Sequence, residues 1–231
     1  TIVIPRHQID GNRLRWLPIL RDGSHFTRTG FALSEPVSTA LAVLPGMSMN
    51  RITPLILAVA LFMEQMDSTV IATALPTIAS DLGVGPITLK LALTSYMVAL
   101  AIFIPVSGWM ADRHGAKRVF RAAIVVFMLG SLLCAVSDSL ITFVASRFLQ
   151  GMGGAMMTPV GRLVLLRTTK KSELVSAMAL LTIPGLLGPI TGPPVGGFIT
   201  TFFSWHWIFL INIPIGLLGL WLSSVYLPEI E

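Results

Sequence analysis

Apolar positions in this chain fall into long runs, without the strict alternation of a half-buried strand. From Pro54 onward these runs follow one another with only brief polar breaks. A helix that crosses a bilayer needs about 20 mostly apolar residues to cover about 30 Å of hydrocarbon. Residues 91–111 carry no charged side chain, and residues 174–228 carry none beyond the ionisable His206, which is room for two spans and a turn. The pattern predicts six helices, at roughly 53–77, 90–110, 118–137, 139–166, 173–202 and 207–227. In lipid no water serves the backbone N–H and C=O groups, so such runs must satisfy their own hydrogen bonds as helices. The fold class expected is therefore an all-α membrane protein, a six-helix transmembrane bundle over residues 50–231.

Residues 1–49 do not share the pattern. Arg6, Arg13, Arg15, Arg21 and Arg28 alternate irregularly with Asp10, Asp22 and Glu35. The mildly apolar stretch 31–46 is interrupted by Glu35, Pro36 and Pro45, so it is too short to span. This segment is expected to be a disordered or non-native tail, with a true start at Met47 or Met49. No short apolar core precedes a small-residue cleavage site, so no secretory signal is expected. The first residue is Thr1 and the last, Glu231, follows an apolar run, which reads as a partial sequence.

Composition supports the membrane reading. Of 231 residues, 54% are hydrophobic and 12% charged, against about 25% charged in soluble domains. The formal net charge of +5 comes from few charges and is no nucleic-acid footprint. The single cysteine, Cys134, lies in an apolar run and excludes an intrachain disulfide framework. Neither a metal cluster nor a cofactor motif is visible, and no nucleophile–base pair suggests an enzyme. The positions of the cations say more than their sum. Arg51 precedes the first span, Arg113, Lys117, Arg118 and Arg121 follow the second, and Arg162, Arg167, Lys170 and Lys171 follow the fourth. Only Lys90 lies on the other side. The positive-inside rule then predicts a multi-pass protein of the inner or plasma membrane with a cytoplasmic N-terminus, Trp109 at the inner interface and Trp205 and Trp207 at the outer one.

Three charged residues fall deep inside predicted spans, away from the span ends. Asp67 and Glu64 lie in the first and Arg147 in the fourth. Each costs about 3 kcal/mol or more in hydrocarbon, so each is expected to face protein or water. Counted from the predicted outer ends, Asp67 and Arg147 lie at matched depth, about 12–14 Å in. An ion pair or proton-linked cluster facing the concave side of the bundle is expected, a static pin between helices being the alternative. Glu64 shares the face of Asp67 one turn deeper, because positions i and i+3 are neighbours.

The fifth span is rich in glycine and proline. Gly188, Gly192 and Gly196 recur every fourth residue, a small-residue stripe that lets another helix approach closely. Gly197 adjoins the stripe, while Pro184, Pro189, Pro193 and Pro194 remove backbone donors and predict a hinge or gate. A milder cluster, Gly151, Gly153 and Gly154, lies in the fourth span. It lacks the βαβ setting of a dinucleotide fingerprint. The loop from Gly108 through Asp112, Arg113, His114, Gly115 and Lys117 to Arg118 sets one acid beside four cations, Arg113, Lys117, Arg118 and the following Arg121, which predicts salt bridges able to break and reform.

Together these residues resemble the N-terminal half of a major facilitator superfamily transporter, of the fourteen-helix drug:proton antiporter family. The run from Asp67 to Pro76 resembles the first-helix motif. Gly108 to Lys117 resembles the loop motif of the superfamily, with Ala116 where a basic residue is common. Arg147, Gln150, Gly151, Gly153 and Gly154 resemble the fourth-helix motif, Gly188 to Gly197 the Gly-Pro motif of exporters, and Trp205 to Pro214 the beginning of the sixth helix, with His206 where Arg is commoner. The resemblance implies two six-helix halves that rock around a central cavity. It implies that Asp67 binds protons or cationic substrate and that Arg147 takes part in proton coupling; Glu64 and Gln150 join them as candidate proton-coupling or substrate residues. Asp112 and Arg113 would hold the cytoplasmic side closed, and the fifth-helix stripe would form part of the interface and limit leakage. The partners so implied are the lipid bilayer, protons, a small-molecule substrate and the missing C-terminal half. The expected function is proton-coupled export of small amphipathic compounds, here as a fragment unable to transport alone. Transport of another metabolite, or a non-transporting module that binds a partner, are the alternatives.

Overall fold

The computed structural model describes residues 52–227 and, apart from them, a strand pair near the N-terminus. In that first unit β1 (Ile9–Asp10) pairs antiparallel with β2 (Arg13–Leu14), Ile9 opposite Leu14 and Asp10 opposite Arg13. The expected disordered tail and the start at Met47 or Met49 otherwise lie outside the described residues. The second unit is helical: α1 (Ile52–Asp81), α2 (Pro86–His114), α3 (Ala116–Ala135), α4 (Leu140–Thr168), α5 (Leu174–Phe202), α6 (His206–Leu210) and α7 (Asn212–Tyr226). The last two form one span, so six membrane-length rods result. Five of them are long and apolar enough to cross a membrane among the described residues. The other, α4, has 29 residues but carries Arg147, Gln150 and Arg162, and about half of its residues are buried.

The rods run further than hydropathy predicts. α1 passes through Pro76 and ends only at Asp81, where Gly83 (φ 64°) turns the chain toward α2. Asp67 is therefore near the middle of its helix, not about 12–14 Å below an outer end. α2 likewise continues to His114, so Gly108, Asp112 and Arg113 are helical, and the predicted loop shrinks to Gly115 (φ 84°). Only a residue without a Cβ takes that backbone at little cost, which is why the turn can be so short. Ser139 and Thr142 cap α4 reciprocally, each side chain accepting the other's backbone N–H at 3.3 Å. The sixth rod breaks at Ile211 because Pro214 has no N–H to give to the Leu210 carbonyl. α5, in contrast, is an unbroken helix through all four of its prolines.

The core has two apolar halves. At the basic end, Ile56, Leu57, Met63, Phe120, Phe127, Met157 and Val164 pack together. Toward the other end, Ile71, Ile78, Leu89, Phe143, Trp205 and Phe209 form a second cluster. The division falls at the same level on every helix: between Met63 and Met66 on α1, between Phe127 and Cys134 on α3, and between Phe143 and Met156 on α4. A polar layer fills that level.

Helices meet through small residues, as expected where lipid removes most of the hydrophobic drive for association. The glycine stripe of α5 lies on α1. A Cβ on Gly188 would stand 2.8 Å from the Gln65 Cβ, and one on Gly196 would stand 2.9 Å from the Val70 carbonyl oxygen. A Cβ on Gly197, its neighbour, would meet nothing within 4 Å among the described residues. Pro189, Pro193 and Pro194 are exposed on the far side of the helix. Gly196→Ala in the complete protein should therefore destabilise it by about 1–3 kcal/mol, whereas Gly197→Ala should cost no more than a few tenths. Thermal unfolding of the two variants in detergent checks the difference.

Candidate functional site

The polar layer is built around Asp67. Its carboxylate is 1% exposed. Arg147, wholly buried, donates through Nη1 to Oδ2 at 2.8 Å. Gln150 Nε2 and Asn212 Nδ2 donate to Oδ1 at 2.9 and 2.8 Å. Helix geometry explains the set, because Arg147 and Gln150 are three residues apart on α4 and so share a face. Asn212 reaches the site because it opens α7 just after the break at Ile211. Ser131 on α3 completes the layer, its hydroxyl accepting from Gln150 Nε2 at 2.6 Å and Asn212 Nδ2 at 3.1 Å. The Gln150 amide thus receives Arg147 Nη1 on its oxygen at 2.5 Å and passes its own donors to Asp67 and Ser131. Three helices, α1, α4 and α7, meet at one carboxylate, and Ser131 ties α3 to the two amides that it holds.

The predicted pairing of Asp67 with Arg147 is present, but the pair does not line an open concave face; protein encloses it. The guanidinium stands 4.4 Å from the Tyr96 ring centroid, with the Phe209 ring at 6.0 Å, so aromatic faces supply part of the missing solvation. Satisfaction is incomplete. Arg147 Nε and Nη2, Asn212 Oδ1 and the Tyr96 hydroxyl have no hydrogen-bond partner among the described residues. A buried polar atom of this kind costs about 1–3 kcal/mol, and the layer thus retains donors and an acceptor for a different arrangement.

Glu64 stands apart from this network. It is 7% exposed and accepts from the Thr158 hydroxyl at 2.6 Å. No cation pairs with it among the described residues, so two acids one turn apart have different surroundings. At the basic end, Asp112 pairs with Arg167 at 2.8 Å, joining the last turns of α2 and α4. Both side chains are partly in water, and such a pair contributes little to stability. Arg113 lies over the Trp109 ring at 5.5 Å, and Lys117 donates to the Ser224 carbonyl at 3.4 Å. Gly108 has open space around it. The structure therefore gathers Asp67, Arg147 and Gln150 into one site and keeps Glu64, the basic end and the α5 stripe separate.

Sequence reasoning missed Ser131, Asn212, Tyr96, Thr158 and Arg167 as participants. The first four are uncharged, and nothing in a hydropathy pattern separates a serine in a network from one bonded to its own helix. Asn212 had a usable signal, as an amide between the apolar runs 207–211 and 213–222.

The sequence model of the Major Facilitator Superfamily matches residues 57–231. A protein of Yersinia enterocolitica carrying the multidrug-resistance name MdtD is 47% identical over 175 residues, which are 74% of this chain and 37% of that protein. Its counterpart in Yersinia pestis is 47% identical over 174 residues, again 37% of its length. The chain thus spans little more than a third of these relatives. Among solved structures, a D-xylose–proton symporter superposes with a TM-score of 0.70 at 15% identity, covering 79% of this chain and 49% of that one. A bacterial homologue of the lysosomal transporter Spinster, inward-facing and unoccupied, gives 0.63 at 15% identity, covering 78% and 43%. At that identity the likeness shows the fold, one half of a larger transporter architecture.

Asn212→Ala should lower the stability of the complete protein by roughly 1–2 kcal/mol, because it removes a bond to a buried carboxylate. Ser224→Ala, at an exposed site on the same helix, should change it by less than about 0.5 kcal/mol. Unfolding curves in detergent separate the two.

Proposed function

We propose that this chain, which belongs to the Major Facilitator Superfamily, is the N-terminal bundle of a proton-driven exporter of small amphipathic compounds. The observation that carries the reading is the enclosed Asp67–Arg147 pair, joined at 2.8 Å in the middle of the bundle. The multidrug-resistance names of relatives at 47% identity support the substrate class. On this reading an ion gradient drives the work, at about 2.3 kcal/mol per charge per 100 mV.

The geometry indicates how a proton would act. Ionised Asp67 balances the charge of Arg147 and holds amides from α4 and α7 on its own oxygens. A proton on Asp67 removes that balance and leaves Arg147 a buried cation with no counter-charge, which costs about 3–5 kcal/mol. Arg147 must then find other acceptors, and the packing of α4 against α1 and α7 must change with it. Protonation is in this way linked to helix position. The halves of the complete transporter rock about the central cavity, with Asp112 and Arg167 part of the closure on the cytoplasmic side. Glu64, held by one hydroxyl, is a second carboxylate for a proton or a cationic substrate. The fifth helix acts mainly through its seat on α1, and its exposed proline face meets the other half. The basic end faces the cytoplasm of the inner membrane.

Asp67→Asn keeps the size of the side chain and removes the titratable group. In vesicles loaded with equal amounts of the complete folded protein it should reduce proton-gradient-driven efflux below about a tenth of the wild-type initial rate. Unchanged efflux would remove Asp67 from the coupling mechanism.

A further inference from the structure

A groove of about 850 Å³ opens between α2 and α3, with α4 as its floor. Neither Asp67 nor Arg147 lines it. Its deep part is apolar: Phe103 and Met110 from α2, Val119 and Val126 from α3, and Met152 and Met156 from α4. Its mouth is charged, with Arg113, Lys117 and Arg118 against the single acid Asp112. That acid is already engaged by Arg167 at 2.8 Å. Lys117 is turned to the Ser224 carbonyl and Arg113 to the Trp109 ring. Arg118 is exposed and has no hydrogen-bond or ion-pair partner among the described residues. α3 also begins at this mouth, behind Gly115, with no side chain capping its first N–H groups.

We propose that this groove holds an anionic phospholipid, its phosphate at the Arg118 mouth and an acyl chain along the cleft. Three features favour this occupant. Charge complementarity is the first, because a basic pocket between helices at the cytoplasmic side attracts anionic headgroups. Length is the second: Phe103 and His114 are about 16 Å apart along α2 at 1.5 Å per residue, a depth suited to an acyl chain. The third is the surrounding surface. The exposed side chains beside the groove, Ile102 and Val106 on α2 and Val125 and Leu129 on α3, are apolar, so the cleft opens toward hydrocarbon. A soluble anion would have no use for such walls, and a zwitterionic lipid would gain nothing from the excess of cations. The lipid would brace the turn at Gly115 and the helix ends that carry the Asp112–Arg167 pair.

The test uses the complete protein in mild detergent and native mass spectrometry, with dioleoyl-phosphatidylglycerol and dioleoyl-phosphatidylcholine as probes. Wild-type protein should retain the phosphatidylglycerol more tightly, by about fivefold or more. Arg118→Gln should reduce that retention about fivefold and leave phosphatidylcholine unchanged, as expected for one cation near a headgroup. Arg121→Gln, which removes a neighbouring cation outside the groove, should leave both unchanged. Ala122→Trp, which fills the cleft without altering charge, should weaken retention of both lipids. Equal retention of the two lipids would overturn the proposal. So would an Arg118→Gln variant that behaves like Arg121→Gln, the result expected if the remainder of the transporter covers the groove. None of these readouts depends on export or on proton coupling.

Discussion

A carboxylate and a guanidinium cannot be left alone in hydrocarbon, and meeting that demand organises the bundle. Asp67 and Arg147 offset each other's charge, but a buried pair is stable only when its remaining lone pairs and N–H groups also find partners. Gln150 and Asn212 supply part of them from α4 and α7, and Ser131 on α3 accepts from both amides. The apolar core is divided at this level because the polar layer occupies it. The same incompleteness that costs stability, at Arg147 Nε and Nη2 and Asn212 Oδ1, leaves the layer able to adopt other pairings.

Such short contacts require close helices, and glycine provides the approach. A Cβ on Gly151 would stand 2.7 Å from the Tyr96 carbonyl oxygen, and one on Gly153 would stand 2.7 Å from that of Ala123. α4 is thus held against α2 on one side and α3 on the other, which brings Tyr96 and Ser131 to the polar layer. On α1, the stripe of Gly188, Gly192 and Gly196 seats α5 behind Asp67. Packing and chemistry are in this sense one design: the small residues fix the distances at which the charges meet.

Much of this was legible in the sequence, and the reasons for success and failure are physical. Asp67 and Arg147 stood out because a charge in a span is costly and rare. The face of the α5 stripe was legible because a four-residue repeat stays on one side of a helix. Helix ends were not, because α1 and α2 extend past the apolar run into polar residues that remain helical, and because Pro76 is tolerated within a long rod. The enclosure of the pair was invisible, since it depends on Asn212 and Ser131, which lie far from Asp67 in sequence. The partner of Asp112 was missed for the same reason: Arg167 reaches it from the end of α4, while nearer cations turn elsewhere. The family resemblance singled out Gln150 as a candidate, and its bonds to Arg147 and Asp67 emerge only in the folded chain.

The most direct measurement of the central claim is a double-mutant cycle on the complete protein. Asp67→Asn, Arg147→Gln and the two together would be compared by unfolding in detergent. If the pair is mutually dependent, each single substitution leaves a buried charge without its counterpart and costs about 3–5 kcal/mol. The double variant should then cost much less than the sum, with a coupling of about 2 kcal/mol or more. Strictly additive losses would mean that the two charges do not hold each other, and the account of the polar layer would be wrong.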